Sequence, residues 1–196
     1  MNLKFLGDAL DHWKGAIFAD LHSEKLVNDF RADTMATDTW QLRDLTLFAR
    51  LLRIKQSQLI SHEYDLRQNR SEYFSEIPSK GDLFLDPDTG IKTGAVQQIE
   101  QYLRPSELFQ IMETDKNRLV TVYQHIRAQK TRQRLNRIMN VLEREKRSPF
   151  FCSSYESGTV ALLFFSRNRD RVERVLSYYC DLLGAHAAHR VGFWSV

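Results

Sequence analysis

The stretch Asp82-Leu83-Phe84-Leu85-Asp86-Pro87-Asp88-Thr89-Gly90 joins a short, fully apolar run to an abrupt polar turn. A continuous apolar run that ends in this way is typical of a strand covered on both faces, as in parallel sheets. The turn follows from the same residues, because proline restricts φ and glycine tolerates positive φ. The stretch therefore predicts a buried central strand with two carboxylates just beyond its carboxyl end.

Helical and extended patterns alternate on both sides of this strand. Apolar residues recurring every three or four positions predict helices at 7–22, 40–54, 105–113, 126–146 and 168–184. Short apolar runs predict further strands at 26–32, 119–123, 149–154 and 159–165, with a weaker one near 57–62. This order predicts a single Rossmann-like α/β domain over residues 1–196. We expect a three-layer sandwich whose mostly parallel sheet ends in a C-terminal antiparallel hairpin.

The composition is that of an ordinary globular domain, with 196 residues, 42% of them hydrophobic and 27% charged. No stretch approaches the roughly 18 apolar residues of a membrane span, and the N-terminus lacks an apolar signal core. Cys152 and Cys180 are expected to be buried thiols rather than a disulfide. These features predict a cytoplasmic protein that does not associate with a membrane.

The candidate catalytic residues are Asp86, Asp88 and His125, each placed after an apolar strand. Ligands of open α/β sheets bind beyond the carboxyl ends of the strands. Two close carboxylates can hold Mg²⁺ or Mn²⁺ or orient a polar substrate, and a histidine can carry a proton. The alternative is structural: Asp, Pro and Gly form turns for conformational reasons, and the histidine satisfies backbone groups.

The predicted helix 126–146 is the most basic element of the chain. Arg127, Lys130, Arg134 and Arg137 follow one another at spacings of three and four. Such a face can neutralise the phosphates of a nucleic acid, with binding that weakens as salt is added. A solvated face that keeps the protein soluble explains the same pattern, and the net charge of +3 is small.

Three motifs carry a resemblance to an uncharacterised group of bacterial proteins. They are Leu-Gly-Asp-x-x-Asp-x-x-Lys at residues 6–14, Phe-Leu-Asp-Pro-Asp-Thr-Gly at 84–90, and Tyr-Gln-His-Ile-Arg at 123–127, which is one residue shorter than the Tyr-Gln-His-x-x-Arg of that group. More distantly, the layout resembles the Rossmann-like ribosomal-RNA adenine-N6 methyltransferases, in which a strand ends in Asp-Pro-Pro-Tyr. Asp86 and Pro87 match the start of that motif, whereas Asp88 and Thr89 replace its second proline and its aromatic residue.

The resemblance implies S-adenosylmethionine as cofactor. Its candidate contacts are Asp8, Asp11 and Lys14 on one helix face, with Asp33 at the end of the first strand. The first hypothesis is therefore a methyltransferase-like protein that acts on or binds nucleic acid. The second is a nuclease or phosphoesterase in which Asp86 and Asp88, with Asp8 or Asp11 as a further ligand, hold Mg²⁺ or Mn²⁺ to activate water. The third is a binding module without catalysis.

Overall fold

The computed structural model describes residues 1–126, 130–146 and 148–196. Eight strands are present in these ranges: β1 (Arg31–Asp33), β2 (Leu83–Leu85), β3 (Gly90–Ile91), β4 (Tyr102–Leu103), β5 (Val120–His125), β6 (Phe151–Glu156), β7 (Val160–Ser166) and β8 (Val191–Ser195). Six α-helices connect them: α1 (Ala9–Ser23), α2 (Leu42–Leu51), α3 (Arg70–Ser75), α4 (Pro105–Thr114), α5 (Thr131–Glu145) and α6 (Arg169–Ala187).

The main sheet has six strands in the order β1-β2-β5-β7-β6-β8. Strands β1, β2 and β5 pair in parallel, and the remaining three join by antiparallel pairing. Four strands consequently point in one direction, with β7 and β8 opposed to them. The predicted C-terminal hairpin is present as β6 and β7, and β7 inserts between β5 and β6. Strands β3 and β4 form a separate parallel pair.

Alternate residues of the central strands face opposite layers of helix. Leu83 and Leu85 lie in a hydrophobic core shared with α3, α4 and α5, whereas Phe84 lies in a second core shared with α1, α2 and α6. All three residues of β2 are buried, as the uninterrupted apolar run predicts. The structure is thus a mixed α/β fold with helices on both faces of one sheet.

Several boundaries differ from the sequence-based expectations. Strand β1 begins only at Arg31, because residues 26–30 bury their apolar side chains in a loop rather than in the sheet. The weak strand expected near 57–62 is reduced to a single parallel bridge between Leu59 and Ala32. The expectation of two buried thiols was half wrong, since Cys152 is buried and Cys180 is exposed on α6. Within the described ranges, no helix is long and apolar enough to cross a bilayer.

Asp82 fixes the amino end of β2 to its neighbours. One carboxylate oxygen accepts the backbone N–H of Leu119 at 2.8 Å, and the other accepts that of Asn28 at 2.6 Å. The guanidinium of Arg171 donates to the same second oxygen. Burial raises the pKa of Asp82, more than these donors lower it. Asp82 therefore joins β2, β5 and α6 through one nearly inaccessible side chain.

We expect Asp82→Asn to lower the free energy of unfolding by about 2 kcal/mol. Both oxygens of Asp82 accept hydrogen bonds, so the amide NH₂ group of Asn would face an N–H donor in place of one of them. Urea denaturation at neutral pH measures the loss. Asp181→Asn, which removes an exposed carboxylate of α6, is the matched control and should change stability by less than about 0.5 kcal/mol. Equal stabilities of the two variants would contradict this role for Asp82.

Candidate functional site

The loop Asp86–Gly90 crosses the carboxyl edge of the sheet and lines a cleft of about 310 Å³. The Asp86 N–H donates to the carbonyl of Asp33 at 3.1 Å, which extends the pairing of β2 with β1 by one residue. Gly90 then turns the chain into β3 with φ of +115°. We call this space the first cleft; it is lined by Met1, Asn2, Lys4, Phe5, Asp8, Asp11, Lys14, Asp86, Pro87, Asp88, Thr89, Gln101, Tyr123 and His125.

A buried lysine forms the floor of the first cleft. Asp8 caps α1 by accepting the N–H groups of Leu10 and Asp11, which starts the helix so that Asp11 and Lys14 share a face. The Lys14 ammonium donates to Asp86 at 2.8 Å and to Asp11 at 3.0 Å. Lys14, Asp11 and Asp86 are each at most 3% exposed. Three ionised groups at the bottom of an open cleft are costly, which marks this place as a candidate site.

The charges of this cluster follow from its geometry. Burial lowers the pKa of Lys14, but the carboxylates of Asp86 and Asp11 raise it by more than burial lowers it. The net shift of the pKa is therefore upward. Burial also raises the pKa of Asp86, while Lys14 acts in the opposite sense. The Lys14 ammonium lies 4.2 Å from the centre of the Tyr123 ring, which supplies a further favourable contact for the cation. Lys14 is consequently held as a cation.

Asp88 has different partners from Asp86, although only two positions separate them. One oxygen accepts the N–H of Asn2 at 2.5 Å, and the other accepts the hydroxyl of Thr37 at 3.3 Å. Asp88 thus ties the N-terminal segment to the loop after β1. The two carboxylates, which the metal hypothesis placed on one ion, bind separate groups. Among the residues described, no three His, Cys, Asp or Glu side chains are arranged to hold a metal.

The end of β5 contributes the aromatic wall of the first cleft. Tyr123 and His125 lie on its cleft side, with ring centres 5.0 Å apart in an edge-to-face arrangement. Burial raises the pKa of Tyr123, so the side chain is a neutral phenol. The His125 N–H donates to the Thr89 carbonyl at 3.1 Å, which joins β5 to the loop. The three predicted catalytic residues, Asp86, Asp88 and His125, therefore line one cleft.

Gln124 braces the loop from the other face of β5. Its amide oxygen accepts the Ile91 N–H at 2.8 Å, and its amide nitrogen donates to the carbonyls of Thr89 at 3.1 Å and His125 at 2.7 Å. The side chain is completely buried. Gln124 therefore determines where β3 and the end of the loop lie relative to β5.

Asp33 belongs to a separate polar cluster under a second cleft. Its Oδ2 lies 3.0 Å from His62 Nε2, and His62 Nδ1 lies 2.8 Å from Glu76 Oε2. The Tyr73 hydroxyl donates to Asp33 Oδ1, and the Tyr73 ring stacks on His62 with centres 3.6 Å apart. Burial lowers the pKa of His62, but Asp33 and Glu76 outweigh it and raise the pKa overall.

The second cleft has a volume of about 240 Å³ beside the carboxyl end of β1. Its lining comprises Thr34, Ala36, Asp38, Thr39, Trp40, Leu45, Ile60, Ser61, His62, Glu63, Tyr64, Asp65 and Gln68. The indole N–H of Trp40 is buried and has no hydrogen-bond partner among the described residues. Of the four predicted cofactor contacts, Asp8, Asp11 and Lys14 line the first cleft, whereas Asp33 lies beneath the second.

Three of the four predicted nucleic-acid residues, Lys130, Arg134 and Arg137, lie on or beside α5. The helix begins at Thr131 rather than near 126, so Lys130 precedes its first turn. Arg127 lies outside the described residues. Arg134 donates to the Thr93 hydroxyl at 2.6 Å, and Lys130 and Arg137 are exposed. The basic helix therefore contacts the segment that directly follows the candidate-site loop.

Comparisons with known proteins add little to this description. No protein-family model and no curated protein matches the sequence. Among solved structures, the chain is similar to a crystal structure of a Legionella pneumophila protein that is described by the family label DUF519. The identity is 10% and the TM-score is 0.41, over 80% of this chain and 57% of the other. The chain thus spans little more than half of that protein's length, and the similarity is too low to bear on function.

Proposed function

We propose that the chain is a Rossmann-like, methyltransferase-like protein that takes a nucleic-acid base in the first cleft and S-adenosylmethionine in the second. The observation that carries the proposal is the position of the two clefts on either side of the loop 34–38. Thr34 and Ala36 line the second cleft, while Thr37 bonds Asp88 of the first. Both clefts lie at the carboxyl edge of parallel strands, where open α/β sheets bind their ligands.

The first cleft fits an amino-bearing aromatic ring. Asp86 supplies a buried carboxylate acceptor, and an exocyclic amine offers N–H donors to it. The rings of His125 and the half-exposed Phe5 line the cleft, whereas the Tyr123 ring is buried against Lys14. Aromatic stacking and one polar anchor are the usual means of holding an unpaired base. The role of Asp86 in this arrangement is to orient the amine, while Lys14 and Asp11 hold Asp86 in place.

The second cleft fits a cationic, hydroxyl-rich ligand. S-adenosylmethionine supplies an electrophilic methyl group when bound, and it carries sulfonium and ammonium charges. Asp38, Glu63 and Asp65 line the cleft as carboxylates. The unpaired Trp40 N–H is a buried donor that a ligand oxygen or ring nitrogen would satisfy. His62 holds the wall in place through Asp33 and Glu76, because it bridges the two carboxylates.

We expect S-adenosylhomocysteine to raise the melting temperature of the protein, since a ligand that binds only the folded state stabilises it. Trp40→Phe should weaken this binding about tenfold, because it removes a buried hydrogen-bond donor and keeps most of the ring. Isothermal titration calorimetry measures both affinities. Trp194→Phe is the matched control, since the Trp194 N–H bonds Asn136 on α5 instead of lining a cleft.

Two results would contradict the proposal. One is stabilisation by Mg²⁺ or Mn²⁺ with none by S-adenosylhomocysteine, which would favour the metal-dependent nuclease or phosphoesterase. The other is no stabilisation by any of these ligands, which would favour a binding module. Transfer of a labelled methyl group to a pool of RNA and DNA oligonucleotides then separates an enzyme from a protein that only binds the cofactor.

A further inference from the structure

A third cleft of about 380 Å³ lies next to the candidate-site loop along the chain. Its lining residues are Lys92, Thr93, Gly94, Arg104, Pro105, Ser106, Val141, Arg144 and Glu145. Lys92 follows Gly90 by two residues, so a rise of about 3.3 Å per residue places Lys92 roughly 7 Å beyond the end of the loop. We call it the basic cleft.

Three separate segments bring a cation to the basic cleft. Strands β3 and β4 pair through Ile91 and Leu103, and the Lys92 N–H donates to the Leu103 carbonyl at 2.9 Å. This register sets Lys92 beside Arg104, and the last turn of α5 adds Arg144. Like charges on neighbouring strands repel one another. An anion in the cleft would relieve that repulsion.

Acidic neighbours compensate these charges only in part. Arg104 Nε lies 3.8 Å from Glu107, but Glu107 is held more closely by Arg70 at 2.6 Å. Within residues 1–126, 130–146 and 148–196, no carboxylate lies within 4.0 Å of Lys92 or Arg144 in an ion pair. Glu145 is the one acidic residue in the lining against three cations. The cleft is therefore electropositive.

The basic cleft continues into a row of cations along α5. Arg134, Arg137 and Arg144 are spaced by three and seven residues, which places them on one face of the helix. Arg134 bonds Thr93, so this face is fixed against the segment that lines the cleft. The helix spans roughly 22 Å at 1.5 Å per residue. An extended polyanion matches such a row better than a single small anion does.

We propose that the basic cleft and this face of α5 bind the phosphodiester backbone of a single nucleic-acid strand. The inference rests on the proposed function, because the strand is the one whose base enters the first cleft. The phosphates of the bound nucleotide's neighbours lie against Lys92, Arg104 and Arg144. Recognition is by charge, so it is independent of base sequence and sensitive to salt.

The test is the binding of a short fluorescent single-stranded oligonucleotide, followed by anisotropy over a range of salt concentrations. The double variant Arg104→Gln/Arg144→Gln should bind roughly tenfold more weakly and lower the slope of log affinity against log salt by about 1.4. Lys92→Gln/Arg144→Gln is a second variant that leaves the start of α4 unchanged. The matched control is Arg43→Gln/Arg50→Gln, which removes two exposed arginines of α2.

The outcomes separate this inference from the proposed function. Weaker strand binding by both cleft variants, with normal binding by the control, supports the inference. Equal strand binding by all variants overturns it, even where S-adenosylhomocysteine still binds. Binding of polyglutamate with the same affinity and salt slope overturns it too, because the cleft would then accept any polyanion. If the wild-type protein does not bind S-adenosylhomocysteine, but the basic-cleft variants still bind the strand more weakly than the wild type, only the proposed function is overturned.

Discussion

Lys14→Met is expected to lower the free energy of unfolding by about 3–5 kcal/mol at neutral pH, the usual loss when one partner of a buried ion cluster is removed. The ammonium bonds Asp86 at 2.8 Å and Asp11 at 3.0 Å, and all three side chains are buried. Methionine has a similar length but no charge, so it leaves two carboxylates in a site of low polarity. Urea denaturation measures the loss.

The loss should shrink as the pH falls. Burial already raises the pKa of Asp86 in the folded protein, and Lys14 opposes that rise. Removing Lys14 raises the folded pKa of Asp86 further above its unfolded value, which is about 3.9. A carboxyl group with a raised folded pKa favours folding only while it is protonated. Its stability contribution is therefore present below the unfolded pKa and is lost as the pH rises through the folded pKa.

Lys4→Met is the control for this prediction, since it removes the same group from an exposed position in the lining of the first cleft. We expect a change of less than about 0.5 kcal/mol and little dependence on pH. A Lys14→Met protein as stable as the control at neutral pH would show that water or a conformational change already solvates Asp86 and Asp11.

The central part of the fold was predictable because its signals are local. The apolar run before Asp86 specifies a buried strand, and the Asp-Pro-Asp-Thr-Gly turn specifies its end, within nine consecutive residues. Pro105 likewise occupies the first position of α4, so this helix begins where the predicted helix 105–113 begins. Placing polar residues after apolar strands was enough to gather Asp86, Asp88 and His125 in one cleft.

The partners of these residues were not predictable in the same way. Lys14 and Asp86 are 72 positions apart, and nothing in either segment indicates that they form an ion pair. The second cluster joins Asp33, His62 and Glu76, which the chain brings together only through the packing around β1. His62 lies at the end of the weak strand expected near 57–62, and the weak pattern there did not single it out. Long-range contacts of this kind depend on the fold as a whole.

The predicted strand boundaries were wrong where residues are buried without being part of a strand. Residues 26–30, with apolar Leu26, Val27 and Phe30, resemble a strand in sequence, yet only Arg31–Asp33 pair with β2. An apolar pattern indicates that side chains are buried, and the side chains of a loop can be buried as well as those of a strand. In the weak strand expected near 57–62, only one residue pairs with the sheet, through the bridge between Leu59 and Ala32.

Gly90→Ala is expected to destabilise the protein by about 3 kcal/mol, because two costs add at one position. The φ of +115° is one that residues with a Cβ rarely adopt. A Cβ there would also lie less than 3.0 Å from the Gln124 amide. Gln124 cannot move aside easily, since its amide makes three hydrogen bonds to Thr89, Ile91 and His125. Thermal and urea denaturation measure the change.

The same substitution should weaken ligand binding in the first cleft, because Thr89 and His125 line that cleft and both bond the displaced amide. Gly94→Ala is the control: a Cβ at this position meets nothing within 4 Å, and stability should change by less than about 0.5 kcal/mol. The double variant Gly90→Ala/Gln124→Ala separates the two costs. If the clash dominates, the double variant loses less stability than the sum of the single variants, with a coupling of about 1 kcal/mol or more. If the stability losses of the two single variants simply add in the double variant, the loss at Gly90 comes from backbone strain alone. The position of the loop would then depend on the positive φ of Gly90 and not on its contact with Gln124 of β5.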